Sequence, residues 1–96
     1  MKTIAIYRPF ESVMPLLLKF LETRHYKNIN INYTRREVTA DHSKFFFRSD
    51  RFFFKLIPKN DSITNIEIEV NPQKTVPSKS KNEIENEITD IIYSYF

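Results

Sequence analysis

Cysteine, glycine and tryptophan are absent from this sequence of 96 residues. Without cysteine the chain has no disulfide, no thiolate nucleophile and no cysteine-bound metal, which fits a reducing compartment. Without glycine it has no glycine-rich phosphate-binding loop. Long apolar runs are also absent, because Lys19 interrupts the stretch from Leu16 to Leu21, so the sequence predicts neither a signal peptide nor a membrane span. We therefore expect a cytoplasmic protein.

The composition is that of a small globular protein, with 41% hydrophobic and 28% charged residues. At this length it predicts a single domain, residues 1–96, with one core. The net charge of +3 is unevenly placed: residues 1–79 carry 14 basic and 8 acidic side chains, and residues 80–96 carry one lysine and four acids. The basic part is explained either by ordinary solubility charge or by a polyanionic partner.

Periodicity predicts five strands and two helices. Apolar and polar residues alternate in five segments, which we expect to be strands: 2–8, 28–34, 37–48, 51–57 and 63–71. Helical apolar spacing predicts a first helix from about Ser12 to about His25, with Glu11 or Ser12 as the N-cap and Pro15 in its first turn. Ser80 and Glu83 form a capping box for a second helix. The order β-α-β-β-β-β-α predicts an α+β fold in which a five-stranded antiparallel sheet packs two helices on one face.

Six of the nine phenylalanines lie between Lys44 and Ile57, in two mirrored triplets. A hairpin that turns at Ser49-Asp50 pairs Phe46 with Phe53 and Phe45 with Phe54. Alternation then divides the residues between two faces. The predicted core face consists of Phe45, Phe47, Phe52, Phe54 and Leu56. The predicted outward face carries the candidate binding residues Lys44, Phe46, Arg48, Arg51, Phe53 and Lys55.

The other strands have their own expected faces. Ile29, Ile31 and Tyr33 should point inward, and a β-bulge near Asp41-His42-Ser43 would reconcile Val38 and Ala40 with the phenylalanines that follow. A five-residue loop should pair Phe53 with Glu67 and Arg51 with Glu69. The helices should contribute Leu17, Leu21, Ile88 and Ile92 to a core that also contains Ile66 and Ile68.

The order of the elements resembles the TATA-binding-protein-like and helix-grip group of folds, in which a curved antiparallel sheet packs two helices on one face. Members of that group bind DNA, lipids or small apolar molecules. The resemblance implies a binding role of one of these kinds. It assigns no site residue in this chain.

Catalysis and metal binding are not expected. Asp41-His42-Ser43 has the side chains of a hydrolase triad, but adjacent residues of a strand point in opposite directions and cannot form a relay. The other histidine, His25, is distant and lacks a carboxylate ligand pattern, so we expect no metal site. Glu67 and Glu69 share a strand face, as paired catalytic carboxylates would, but cross-strand ion pairing is the simpler explanation. No cofactor is expected either.

Three functions compete for the outward face. The first is protein contact, above all self-association that buries the exposed aromatic pair. The second is binding of single-stranded nucleic acid, because aromatic rings stack on bases and cations hold phosphates. The third places a small apolar ligand or lipid between the sheet and the helices. Self-association is the favoured hypothesis, because Glu67 and Glu69 would cancel part of the attraction for a polyanion.

Overall fold

A computed structural model describes residues 1–45, 48–74 and 81–96, and for residues 43–45, 48–49 and 72–74 it describes the backbone only. The elements are β1 (Lys2–Ile6), α1 (Phe10–Thr23), β2 (Lys27–Asn32), β3 (Glu37–Phe45), β4 (Arg48–Pro58), β5 (Thr64–Lys74) and α2 (Lys81–Tyr95). This order confirms the predicted α+β fold. The predicted capping residue Ser80 lies outside the described residues.

The five strands form one antiparallel sheet in the order β1-β5-β4-β3-β2. The three longest strands, with 9 to 11 residues, lie in the middle, and the two short strands lie at the edges. Both helices cover the same face of the sheet, because one strand parity is buried with the apolar stripes of α1 and α2. We call the uncovered face the outer face.

Alternation sets the burial along the central strands. On β5, every even-numbered residue from Thr64 to Val70 is buried, and the odd-numbered residues between them are half-buried. On β4, Phe52, Phe54 and Leu56 are likewise buried, whereas Phe53 and Lys55 are exposed. The predicted core is confirmed for these three residues and for Leu17, Leu21, Ile66, Ile68, Ile88 and Ile92. Of the other two predicted core phenylalanines, Phe47 lies outside the described residues and only the backbone of Phe45 is described. Ile29 and Ile31 are partly buried against it.

The predicted hairpin register between β3 and β4 is wrong. The strands pair Val38 with Phe54 and Ala40 with Phe52, and the pairing continues to Phe45 and Arg48. The prediction placed the turn at Ser49-Asp50, but these two residues lie within β4. The observed register places the buried residues Val38 and Ala40 beside Phe54 and Phe52. This burial of apolar side chains decides the register, rather than the mirror symmetry of the two phenylalanine triplets.

Two further features of the strand pairing were predicted. The predicted bulge or break near Asp41-His42-Ser43 is found directly after these residues, which pair without interruption, because the register shifts between Ser43 and Phe45. On the other side of β4, Phe53 pairs with Glu69 and Lys55 with Glu67. This is a slip of two residues from the predicted pairing. Because side chains repeat every two residues, the slip changes the partners and leaves the faces as predicted.

The first helix begins earlier than predicted. Its N-cap is Pro9, which makes no side-chain capping hydrogen bond, and the backbone oxygen of Pro9 accepts hydrogen bonds from the N–H groups of Ser12 and Val13. Pro15 therefore lies in the second turn, on the exposed side of the helix. Its missing N–H leaves a carbonyl that water can reach, which limits the cost of a proline at this position.

In a chain without glycine, other residues occupy the left-handed backbone region. His25, Asn28 and Arg36 have φ values of 62°, 53° and 56°. Asn and His are among the residues that tolerate this region best. Arg36 is the costly case, and two contacts hold it: its backbone oxygen accepts a hydrogen bond from the N–H of Leu56 at 2.9 Å, and its guanidinium lies 5.2 Å from the ring centre of Phe10.

Tyr33 does not point inward as predicted. β2 ends at Asn32, and Tyr33 begins the turn to β3 with 69% of its surface exposed. The predicted strand, 28–34, extends two residues past the observed end of β2, because the alternating pattern contains no proline or glycine to mark that end. In the described part of the chain, neither helix is long and apolar enough to cross a membrane.

Candidate functional site

The structure places three of the six predicted site residues in detail. Arg51, Phe53 and Lys55 share the outer face of β4, as expected from alternation. Lys44 and Arg48 lie in strands, but their side chains are not described, and Phe46 lies outside the described residues. The predicted pairing of Phe46 with Phe53 is wrong, because the residue opposite Phe53 on β3 is Thr39.

Phe53 lies at the centre of the outer face and is 38% exposed. Its neighbours in register are Thr39 on β3 and Glu69 on β5. The guanidinium carbon of Arg51 lies 5.9 Å from its ring centre, at the limit of a cation–π contact. An aromatic ring in this position adds apolar surface to a face that is otherwise mostly polar.

Arg51 is held by a carboxylate that the sequence analysis did not include in the site. Its Nη1 donates to Asp41 Oδ1 at 3.1 Å, and the amide of Asn28 donates to Asp41 Oδ2 at 2.9 Å. The side chains of Arg51 and Asp41 are 34% and 20% exposed, so the pair is partly screened by water. The predicted cross-strand pair between Arg51 and Glu69 is therefore wrong.

Lys55 lies between two carboxylates. Glu37 is opposite it on β3 and Glu67 is opposite it on β5. Nevertheless, among the described residues Lys55 forms no ion pair within 4.0 Å, and neither does Glu67. Both charged groups are thus near each other and remain accessible to a further partner.

Glu69 binds groups at the start of α2 and at Met1. Its Oε1 accepts a hydrogen bond from the ammonium group of Lys81, and its Oε2 lies 3.6 Å from the amino group of Met1. The hydrogen bond from Lys81 lowers the pKa of Glu69 below its ordinary value, and the Glu69 carboxylate raises the pKa of Lys81. This contact joins the outer face to the first turn of the covering helix.

The side chains around Phe53 enclose a shallow depression of about 150 Å³. Phe53, Lys55, Glu67 and Glu69 line it together with Met1 and residues 37–39 of β3. Two outer-face residues that sequence reasoning missed are Glu37, which lines the depression, and Asp41, which does not; both have the same odd parity on β3 as Thr39. Their alternation with buried Val38 and Ala40 is the signal that would have found them.

Where β5 extends past the end of its pairing with β1, α2 covers its free edge. β1 pairs with β5 only from Thr64 to Ile68. The next N–H on that edge, that of Val70, donates to Glu85 Oε2 at 3.3 Å, and the Glu85 side chain is only 3% exposed. The following residue on the same edge is Pro72, which has no N–H to offer to another strand. This edge is therefore protected from the addition of another strand.

On the covered face of the sheet, the described residues include a polar cluster around Tyr26. The ring of Tyr26 stacks on that of His42, with 4.3 Å between the ring centres and 17° between the planes. His42 is opposite Asp50, and burial raises the pKa of Tyr26 well above its ordinary value. The cavity between these groups and α2 has a volume of only about 50 Å³. Asp41 and His42 lie on opposite faces, so the Asp-His-Ser sequence is not assembled into a triad.

The sequence predicts no metal site. Among the described residues, no group of three or more His, Asp or Glu side chains is arranged to hold a metal ion. Searches against protein-family models and against curated proteins found no match to this chain. Function is therefore inferred from the outer face itself.

Proposed function

We propose that this protein is a small interaction domain that self-associates by packing the outer face of its sheet against the same face of a second copy. The observation that carries the proposal is Phe53, an exposed aromatic ring at the centre of a five-stranded face that neither helix covers. Exposed apolar surface favours burial by about 25 cal/mol per Å². Aromatic side chains and arginine are the residues enriched in protein interfaces.

The face has a suitable size for such a contact. With about 3.3 Å per residue and about 4.8 Å between strands, the five strands present a projected area of roughly 650 Å². Stable complexes bury about 800 Å² of accessible surface on each partner. Since side chains make the accessible area larger than the projected area, one outer face is large enough for a dimer of standard size.

The charges of the face suit a copy of itself. Lys55 and Glu67 have complementary signs and no ion pair with described residues, and they lie opposite each other in the row next to the one that contains Phe53. A two-fold interface brings the same patch against itself, so a patch that carries both signs can pair across the axis. Complementary charges of this kind determine orientation and specificity more than affinity.

Nucleic acid is less well supported as the partner. The described outer face carries the cations Arg51 and Lys55, with Lys27 opposite Asp41, and four carboxylates, those of Glu37, Asp41, Glu67 and Glu69. The carboxylates offset the cations, which weakens the attraction for phosphate. The apolar-ligand alternative is also less supported, because the described cavity between sheet and α2 is about 50 Å³, well below the roughly 300 Å³ of the smallest usual ligand sites.

The resemblance to the TATA-binding-protein-like and helix-grip folds adds a general expectation of a binding role, and no specific ligand. A protein partner other than a second copy would use the same surface. The lack of cysteine supports the cytoplasm as the location that we propose. We expect no catalytic activity, cofactor or metal requirement.

Sedimentation velocity over a range of protein concentrations tests the proposal. The native chain should show a concentration-dependent shift from 11.6 kDa toward twice that mass. Phe53→Ser should remain folded and monomeric, because it removes the central contact without touching the core. Tyr33→Ser is the matched control, since Tyr33 is also an exposed aromatic residue and lies in a turn away from the outer face.

Charge exchange then tests the orientation of the contact. Lys55→Glu should weaken association, because it leaves three neighbouring carboxylates in one row across β3, β4 and β5. The double variant Lys55→Glu/Glu67→Lys should restore it by returning both signs to the patch. A native chain that is monomeric at all concentrations, or a dimer that Phe53→Ser leaves unchanged, would contradict self-association through this face.

A further inference from the structure

A second surface, separate from the outer face, lies along the free edge of β1. This strand is at the end of the sheet and pairs only with β5. A groove of about 480 Å³ is lined by residues 5–8 and by Tyr93 and Phe96 at the end of α2. Ala5 belongs to the outer face and Ile6 to the covered face, so the groove follows the strand edge. It is bounded by an edge strand on one side and a helix on the other.

The side chains in this groove combine aromatic surface with one cation. Tyr7 is 79% exposed and Tyr93 is 51% exposed. Arg8 is exposed as well, and no carboxylate of the described residues lies within ion-pair distance of it. The groove has no acidic side chain in its lining. Its charge is therefore complementary to a ligand that supplies a carboxylate beside an apolar side chain.

We propose that this groove binds an extended, acidic peptide segment that adds to the sheet as a strand beside β1. In strand addition, main-chain hydrogen bonds to the edge supply affinity and alternate side chains supply specificity. An acidic side chain would reach Arg8, and an aromatic side chain two positions away would lie beside Tyr7 and Tyr93. The contrast with β5 supports this choice of edge, because Glu85 and Pro72 close the free part of β5 whereas the groove leaves β1 open.

The test uses the full chain labelled with ¹⁵N and a defined peptide, Thr-Asp-Val-Phe-Val-Thr, acetylated and amidated at its ends. Amide shifts should concentrate at Thr3–Arg8 and Tyr93 during the titration. A peptide with Asn in place of Asp should bind about threefold to fivefold more weakly, which is the size of an exposed ion pair. A peptide with N-methyl groups on the edge that pairs with β1 should lose binding altogether.

Protein variants separate the role of Arg8 from general charge. Arg8→Gln should remove the difference between the Asp and Asn peptides, and Arg35→Gln, a change of an exposed arginine in the β2–β3 turn, should preserve it. No shift at millimolar peptide would overturn the proposal, and so would shifts centred on Phe53. Equal binding of the two peptides to the native chain would overturn the role of Arg8. None of these results depends on whether the chain self-associates, which sedimentation measures independently.

Discussion

Phe52 and Phe53 are neighbours in the sequence and should respond very differently to truncation. Phe52 is 4% exposed and contacts the rings of Tyr26 and Phe54, with ring centres 5.6 Å and 6.2 Å away. Phe53 is 38% exposed on the opposite face. Replacing a buried phenylalanine with alanine costs about 3–5 kcal/mol through lost burial and the cavity that remains. For the half-exposed Phe53, we expect a cost of about 1 kcal/mol.

The difference is large relative to the total stability of a domain, which is about 5–15 kcal/mol. In a domain of about 100 residues, each kcal/mol shifts Tm by roughly 4–8 °C. Phe52→Ala should therefore lower Tm by at least about 12 °C, and Phe53→Ala by less than about 10 °C. Thermal unfolding followed by circular dichroism at low protein concentration measures both, because dilution removes any contribution of association to stability. Similar losses for the two variants, or a larger loss for Phe53→Ala, would refute the assignment of faces on β4.

Three further predictions follow from buried or paired polar groups. Glu85→Ala should destabilise the fold by about 1–3 kcal/mol, because it leaves the buried N–H of Val70 unsatisfied, and hydrogen exchange at that amide should accelerate; an unchanged rate would contradict the role of Glu85. Lys81→Ala should raise the pKa of Glu69, which an NMR titration measures; an unchanged pKa would contradict the role of Lys81. Because the native pKa of Glu69 is depressed, the stability from this pair should be present at neutral pH and lost as pH falls below the ordinary carboxyl pKa. Because burial raises the pKa of Tyr26 above 10.0, the free energy of unfolding should fall as pH rises past that value. Tyr26→Phe should reduce this loss of stability, and an equal alkaline loss in both proteins would contradict burial of Tyr26 as its cause.

The order of elements and most of the core could be predicted because burial follows simple periods. Alternation assigned Phe52, Phe54, Ile66 and Ile68 to the covered face even where the predicted partners were off by two residues. A slip by an even number preserves the faces, so the prediction of the outer face of β4 tolerated this error. The same periodicity identified Phe53 as exposed.

The β3–β4 register could not be predicted from the phenylalanine triplets, since their mirror symmetry fits a turn that the chain does not make. The parity of Val38 and Ala40 was the better signal, because it places them beside Phe54 and Phe52. With that register, Asp41 would have been expected opposite Arg51. The closure of the β5 edge by Glu85 had no signal in the sequence, because it depends on how α2 crosses the sheet.

An isotope-filtered NOE experiment on a 1:1 mixture of labelled and unlabelled chains tests the central claim most directly. Only contacts between copies give signals in this measurement. We predict signals between the ring protons of Phe53 in one copy and side chains of the outer face, including Thr39 and Lys55, in the other. Signals between copies that arise from the groove at Tyr7 and Tyr93, with none from Phe53, would contradict the claim that the outer face is the contact surface.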